Sequence, residues 1–314
     1  MTAPRVSVLT TGGTIASRVG PGGVSTTGSQ ARDVLDSAGR RAGVQVTVID
    51  VLCVDSAAMS LAEMDTVREA VAVELRDESV AGVVVLHGTD SLEETAMLLD
   101  LVHTDPRPVV LTGAQRTADH PESDGPRNIE LALRVAADPT RRDLGVLVAF
   151  GTRVLRARGV RKTHTTALDA YTGRPAGHDD ATRHVLSNNP IGGVRVDIVA
   201  LYPGVDAVVI DALRRHGTDG IVLQALGAGN ANGSIVDAVR RCTDAGIPVA
   251  LSTRVQGGSV VVTYGGGGGG ADLVRAGAFA AGDLGPAQTR ILLCALIAGG
   301  STSIADEFAR VTAR

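Results

Sequence analysis

Thr89, Asp90 and Lys162 have the side chains from which a hydroxyl-based catalytic triad could be built. A threonine hydroxyl is a weak nucleophile until a neighbouring group removes its proton. A lysine amine in its neutral form can remove that proton, and a carboxylate can orient the amine. Each residue also has an ordinary alternative, namely a turn for Thr89, a helix cap for Asp90 and a solvated surface charge for Lys162. The triad is therefore a hypothesis that the surrounding elements must support.

Another threonine, Thr14, follows an apolar run, Val6 to Thr10, that predicts a buried strand. Gly12 and Gly13 let the chain turn sharply after this strand because they have no Cβ. In open α/β sheets, ligands bind beyond the carboxyl ends of the strands. Thr14 is thus either a site residue or the capping hydroxyl of an ordinary strand-to-loop turn.

The same order of strand, polar loop and helix recurs along the first half of the chain. Val80 to Leu86 is a nearly continuous apolar run, which is typical of a parallel strand buried on both faces. It ends at His87–Ser91, and Ser91 with Glu94 has the spacing of a capping box for the next helix. This alternation predicts an α/β fold with a doubly wound, mostly parallel sheet whose polar loops gather along one edge. Further strands are predicted at 44–51, 109–111 and 145–150, and helices at 31–41, 60–75 and 91–103.

The length of 314 residues and the loss of helical periodicity after residue 151 predict two domains. We expect a larger N-terminal α/β domain at 1–187 that carries the nucleophile and the triad, a linker at 188–206, and a smaller C-terminal α/β domain at 207–314. The glycine run at 265–270 predicts a flexible loop. Within the smaller domain we predict strands at 220–225 and 248–252, a helix at 235–245 and a last helix at 286–298.

Composition argues against several classes of protein. A net charge of -4 without a basic stripe gives no case for nucleic acid binding. The three cysteines are isolated and fit a reducing compartment, and no Cys/His cluster or phosphate-binding lysine motif is present, so we expect no metal and no cofactor. No apolar stretch approaches a membrane span, and no room for a signal peptide precedes Val6. We therefore expect a cytoplasmic protein that does not contact a membrane.

Two segments of the chain, Thr11–Ala16 and His87–Ser91, resemble the signature segments of the bacterial-type L-asparaginases. The resemblance extends in chain order over nearly the whole sequence. It includes Gly113-Ala114-Gln115-Arg116, Asp124-Gly125-Pro126-Arg127-Asn128, Lys162-Thr163 and Gly227-Ala228-Gly229-Asn230.

The resemblance implies hydrolysis of the asparagine side-chain amide to aspartate and ammonia through an acyl-enzyme, by a homo-oligomer that is a tetramer of close dimers. It implies that Thr14 is the nucleophile and that Thr89, Lys162 and Asp90 form a supporting triad. Main-chain donors near Thr89 would polarise the amide oxygen, Ala114 would offer its carbonyl near the leaving amide, and Asn230 would reach a neighbouring subunit's site. The predicted substrate contacts are Gly13, Asp55, Ser56, Gly88, Thr89, Asp90, Ala114 and Asn230.

The chain also departs from the family pattern. Many members have a tyrosine in the loop after the first signature, whereas Ser25 stands at about that place here, so Ser25 and Tyr264 are the candidate activators of Thr14. Ala57 follows Ser56 where a glutamine is common, and no acidic residue near Tyr264 matches the one that many members present. The alternatives are a glutaminase-asparaginase, another related amidase such as a tRNA-dependent amidotransferase subunit, or an amino-acid-binding sensor without turnover.

Overall fold

A computed structural model divides the chain into two compact units, residues 1–180 and 181–314. Each unit is described by itself. For residues 17–19, 25–27 and 29–33 only the main chain is described. The described residues are 3–12, 17–19, 25–27, 29–177 and 183–313.

The first unit is built on a six-stranded sheet in the order β4-β1-β5-β6-β7-β8. All neighbouring strands are parallel except β8, which runs antiparallel to β7. Two further strand pairs, β2 with β3 and β9 with β10, are antiparallel. The strands are β1 (Arg5–Thr10), β2 (Ser17–Val19), β3 (Ser25–Thr27), β4 (Gln45–Asp50), β5 (Val80–Leu86), β6 (Val109–Thr112), β7 (Val146–Phe150), β8 (Arg153–Arg156), β9 (Arg161–Lys162) and β10 (Tyr171–Thr172). The helices are α1 (Ser29–Ala42), α2 (Leu61–Glu74), α3 (Leu92–Val102) and α4 (Gly125–Ala137).

Both faces of this sheet are covered by helices. Successive residues of a strand point to opposite faces, so Val84 packs in a core with α1 and α4, whereas Val83 and Val85 pack in a second core with α2 and α3. Gly82 allows α4 to approach closely, because a Cβ there would lie 2.2 Å from the carbonyl oxygen of Ala136. The predicted doubly wound, mostly parallel sheet is confirmed, and the carboxyl ends of β1, β5, β6 and β7 share one edge.

The second unit contains a parallel sheet in the order β11-β12-β13-β14. Ile221 and Leu223 of β12 pack against α6, while Gly220 faces Leu293 of α8 on the other side of the sheet. The strands are β11 (Val196–Ala200), β12 (Gly220–Ala225), β13 (Val249–Thr253) and β14 (Phe279–Ala280). The helices are α5 (Val208–Arg215), α6 (Gly233–Asp244), α7 (Gly270–Arg275), α8 (Pro286–Ala298) and α9 (Ile304–Thr312).

Three sequence predictions need comment. The capping box at Ser91 is wrong, because its hydroxyl makes no cap and instead donates to the carbonyl of Ser56 at 2.7 Å. The helix at 286–298 is confirmed but is not the last, since α9 follows it. The division at 187 and 207 stays a prediction, and strand β11 lies inside the segment that it assigns to the linker. Among the residues that the structure describes, no helix combines the length and the hydropathy needed to cross a bilayer.

Candidate active site

The loop that follows β5 lies between the carboxyl ends of the two neighbouring strands, β1 and β6. Thr11, beyond β1, donates its amide and its hydroxyl to the carbonyl of Leu86, at 3.1 and 3.0 Å. His87 donates its amide to the carbonyl of Thr112 in β6, at 2.8 Å. Gly12 has φ +100°, and a Cβ there would lie 2.8 Å from the main chain of Val54. Hydrogen bonds to the segments on either side thus fix the position of the start of this loop.

The triad residues predicted from the sequence come together at this loop, which contains Thr89 and Asp90. Lys162 donates from Nζ to Thr89 Oγ1 at 2.8 Å and to Asp90 Oδ1 at 2.9 Å. The lysine side chain is 19% exposed, whereas that of Asp90 is 57% exposed. One amine therefore joins a hydroxyl to a carboxylate, and that carboxylate still faces solvent.

Lys162 is held by a two-stranded ribbon. In the pairing of β9 with β10, Lys162 lies opposite Tyr171, and its main-chain amide donates to Glu93 Oε2 at 2.6 Å. Burial raises the pKa of Glu93 above its ordinary value, and the hydrogen bond from the Lys162 amide opposes that shift. The Tyr171 hydroxyl donates to the main-chain carbonyl of Thr89 at 2.5 Å. Sequence reasoning missed Glu93 and Tyr171.

Ser56 lies against the same loop. It is buried, and its Oγ accepts the amide of Asp90 at 3.2 Å. A Cβ on Gly88 would lie 2.4 Å from Ser56 Oγ, so this close approach requires glycine. Asp55 caps the short turn at 56–58 by accepting the amide of Ala57 at 3.1 Å. The structure therefore brings Ser56 and Gly88 to the triad, with Asp55 directly beside them in the chain.

Ala114 lies in the loop that leaves β6, and two buried side chains hold that loop. Asn128 donates to the carbonyl of Gly113 at 2.9 Å and accepts the amide of Gly151 at 3.0 Å, which joins the loops after β6 and β7. Asp124 accepts the amides of Gln115 and Arg116, at distances from 2.9 to 3.1 Å. A Cβ on Gly113 would lie 3.2 Å from Thr89 Cγ2. Ala114 thus directly follows Gly113, which lies close to the Thr89 side chain.

Several predicted site residues cannot be placed beside the triad. Gly13 and Thr14 lie outside the described residues, and for Ser25 only the main chain in β3 is described. Asn230 and Tyr264 lie in the second unit, where Asn230 Oδ1 accepts the amide of Gly270 at 3.2 Å and Tyr264 is exposed. In the described part of the chain, no three histidine, cysteine or acidic side chains converge as a metal site.

The glycine run after Tyr264, for which the sequence predicts a flexible loop, is held by hydrogen bonds to one side chain. Asp272 Oδ2 accepts the amides of Gly267, Gly268 and Gly269, at 2.8, 2.9 and 3.0 Å. A Cβ on Gly269 would lie 2.0 Å from the carbonyl oxygen of Tyr264. Close main-chain packing therefore requires glycine at 268 and 269.

One compositional signal could have identified the triad earlier. Lys162 is the only lysine of the sequence, so the other 29 of the 30 basic residues are arginines. A guanidinium is effectively always protonated and cannot take up a proton, whereas an amine can. The single position at which the chain retains an amine side chain is the one beside Thr89.

His87, at the start of the loop that follows β5, is a structural residue. It is fully buried, with Nδ1 2.7 Å from the carbonyl of Gly88 and Nε2 2.9 Å from Thr95 Oγ1. Because a carbonyl only accepts, Nδ1 is the donor and the neutral ring accepts the threonine proton at Nε2. Burial lowers the pKa of His87 from 6.5 to about 4.

This histidine should make stability depend on pH. Between pH 6.5 and 4 the unfolded chain binds a proton that folded His87 does not, so the free energy of unfolding falls as the pH drops through this window. The contribution is fully present above pH 6.5, and its loss amounts to about 3 kcal/mol. Urea unfolding at several pH values should show a shallower dependence for His87→Gln than for the wild type. The exposed His216 gives the control variant His216→Gln, and equal pH dependence in wild type and His87→Gln would contradict this prediction.

The fold and the site define a two-unit α/β protein whose threonine, lysine and aspartate side chains meet at the carboxyl edge of a parallel sheet. Residues 5–185 match the family model for the asparaginase N-terminal domain, and residues 195–307 match that for the glutaminase/asparaginase C-terminal domain. The chain belongs to the asparaginase family.

Individual relatives are similar over most of their length. The chain is 37% identical to a probable L-asparaginase of Deinococcus radiodurans, with 95% of this chain and 94% of the relative covered. It is 30% identical to an L-asparaginase of Bacillus licheniformis, with 97% and 98% covered. Among solved structures, the probable cytoplasmic L-asparaginase of Campylobacter jejuni matches with a TM-score of 0.81 at 30% identity, covering 97% of this chain and 98% of that one.

Proposed function

We propose that this protein is an L-asparaginase, which hydrolyses the side-chain amide of L-asparagine to L-aspartate and ammonia through an acyl-enzyme on Thr14. The observation that carries the proposal is the contact of Lys162 Nζ with both Thr89 Oγ1 and Asp90 Oδ1. Membership of the asparaginase family and the names of the relatives support the choice of substrate.

In the proposed reaction, Thr14 Oγ loses its proton and forms a bond to the amide carbon, and the carbon–nitrogen bond breaks as the nitrogen takes up one proton and leaves as ammonia. Water then cleaves the resulting ester and regenerates Thr14. In its neutral form, the Lys162 amine accepts a proton from the Thr89 hydroxyl as that hydroxyl takes one from the attacking water, and Asp90 orients the lysine. The proton then returns to the departing Thr14 Oγ. Lys162 has the necessary reach, because 2.8 Å to Oγ1 is within proton-transfer distance.

The neighbouring residues would hold the amino-acid part of the substrate. The Ser56 hydroxyl accepts the amide of Asp90, which leaves its own proton for the substrate carboxylate. The exposed carboxylate of Asp90 would bind the substrate amine. Main-chain groups near Thr89 would polarise the amide oxygen, a role in which one donor is worth on the order of 10²-fold in rate. The further proposed contacts are Gly13, Asp55, Gly88, Ala114 and Asn230.

Activation of Thr14, assembly and location are part of the same proposal. Ser25 and Tyr264 are the proposed activators, and the proposed assembly is a homotetramer of close dimers, which light scattering would measure. A cytoplasmic location is supported by the Campylobacter jejuni protein, which is described as a probable cytoplasmic L-asparaginase. A 31% identical relative in Haemophilus influenzae is described as a probable periplasmic L-asparaginase, so cell fractionation is the appropriate test.

The deciding experiment is an ammonia-release assay on the purified protein with asparagine, with glutamine and without substrate. We expect ammonia from asparagine in equal amount to the aspartate formed. Comparable release from glutamine would instead indicate a glutaminase-asparaginase. A substrate-induced rise in melting temperature without ammonia would indicate a sensor and contradict the proposal.

A further inference from the structure

The β9–β10 ribbon contacts Thr89 at two separate points. Lys162 and Tyr171 are directly opposed in this antiparallel pair, so their side chains project from the same face of the ribbon. The lysine Nζ contacts the side-chain oxygen of Thr89 at 2.8 Å, and the tyrosine Oη contacts its main-chain oxygen at 2.5 Å. One short element thus fixes both the side chain and the main chain of the same threonine.

Tyr171 is a rigid donor at this position. Its side chain is almost completely buried, and its ring packs edge-on against Phe150 with the ring centroids 5.0 Å apart. Burial raises the pKa of the Tyr171 hydroxyl well above its ordinary value, with a smaller contribution from the charge of Glu93. The hydroxyl therefore keeps its proton, and the carbonyl of Thr89 can only accept it.

The ribbon is itself attached to the helix that follows the site loop. Glu93, in the first turn of α3, accepts the main-chain amide of Lys162 at 2.6 Å. The ribbon continues with the amide of Thr163 donating to the carbonyl of Ala170 at 2.8 Å. Glu93 thus holds one strand of the ribbon, and Tyr171 extends from the other strand to the main chain of Thr89.

We propose that Tyr171 is a positioning residue for the Thr89–Lys162 pair, acting through the main-chain carbonyl of Thr89. The consequence for turnover rests on the proposed function, but the geometric role does not. Tyr171 keeps Thr89 Oγ1 within reach of the lysine amine.

Tyr171→Phe tests this role because it removes the hydroxyl and keeps the buried ring. We expect kcat for ammonia release to fall about tenfold, the ordinary worth of one hydrogen bond, with KM for asparagine within roughly twofold of the wild type. Since Lys162 is the only lysine, protein labelled with ¹⁵Nζ-lysine gives a single side-chain resonance from this site. We expect that resonance to move in Tyr171→Phe.

Two controls separate positioning from general stability. Phe308→Leu disturbs a buried ring pair in the second unit, where Phe308 packs against Phe279, so it should lower the melting temperature while kcat and the Nζ resonance stay near wild type. Tyr202→Phe removes an exposed hydroxyl in the second unit and should change none of these quantities. If Tyr171→Phe lowers only the melting temperature, as Phe308→Leu is expected to do, the positioning role is overturned. If the wild type releases no ammonia, the proposed function fails, and an unchanged Nζ resonance in Tyr171→Phe would still overturn the positioning role.

Discussion

Lys162→Met should lower kcat for ammonia release by on the order of 10³-fold while the protein remains folded. Methionine has a length close to that of lysine but cannot accept a proton from Thr89 or bond to Asp90. The side chain of its partner Asp90 is 57% exposed, so an apolar replacement does not leave a buried carboxylate uncompensated. The coupled ammonia assay measures the loss, and circular dichroism with thermal melting verifies the fold.

Two further variants make this test specific to the amine. Lys162→Arg retains a positive charge but presents a guanidinium, which does not give up its proton, so we expect a loss as large as that of Lys162→Met. Arg240→Met removes a cation from an exposed ion pair in the second unit and should leave kcat unchanged. Retention of more than about a tenth of wild-type kcat in Lys162→Met would exclude Lys162 as the base.

Thr14→Ala should have the largest effect, a loss of ammonia release of on the order of 10⁴-fold or more. Without Oγ no ester can form, so neither the first product nor the covalent intermediate should appear. Mass spectrometry of acid-quenched turnover mixtures should detect an aspartyl ester on the peptide that contains Thr14 in the wild type. The same peptide of Thr14→Ala should carry no adduct.

A threonine three residues earlier provides the matched control. The hydroxyl of Thr11 is buried and donates to the carbonyl of Leu86, so Thr11→Val should lower the melting temperature and spare turnover. An aspartyl adduct on a different residue of the wild type would show that Thr14 is not the nucleophile. Wild-type turnover by Thr14→Ala would lead to the same conclusion.

The parts of the fold that the sequence predicts well are those with a strong local signal. β5 and β12 are found at the predicted bounds, since each is a short, nearly continuous apolar run. α8 also has its predicted bounds, with Pro286 at its start and Gly299 as its C-cap. In these elements, the residues themselves mark where the strand or helix begins and ends.

Elements that depend on tertiary contacts were harder to predict. α5 is not predicted, because it has only 8 residues and its apolar face consists of little more than Ile210 and Leu213, which is too short a segment to show a clear helical period. Ser91 has the spacing of a cap, but its hydroxyl bonds to a residue 35 positions earlier. The contact between Thr89 and Lys162 spans 73 residues, so spacing alone cannot reveal it; the resemblance indicated it, and the single lysine would have supported it.

The glycine loop after Tyr264 has a consequence for how this chain can change over time. Gly266 and Gly267 have φ values of +99° and +98°, and Gly268 and Gly269 have no room for a Cβ. Substitution within the run is therefore opposed by strain or by steric clash. Loss of Asp272 would remove three hydrogen bonds that offset the large entropy cost of ordering consecutive glycines. A tolerated change would thus have to replace residues 266–269 and Asp272 together. Single substitutions that accumulate one at a time should leave this segment nearly unchanged.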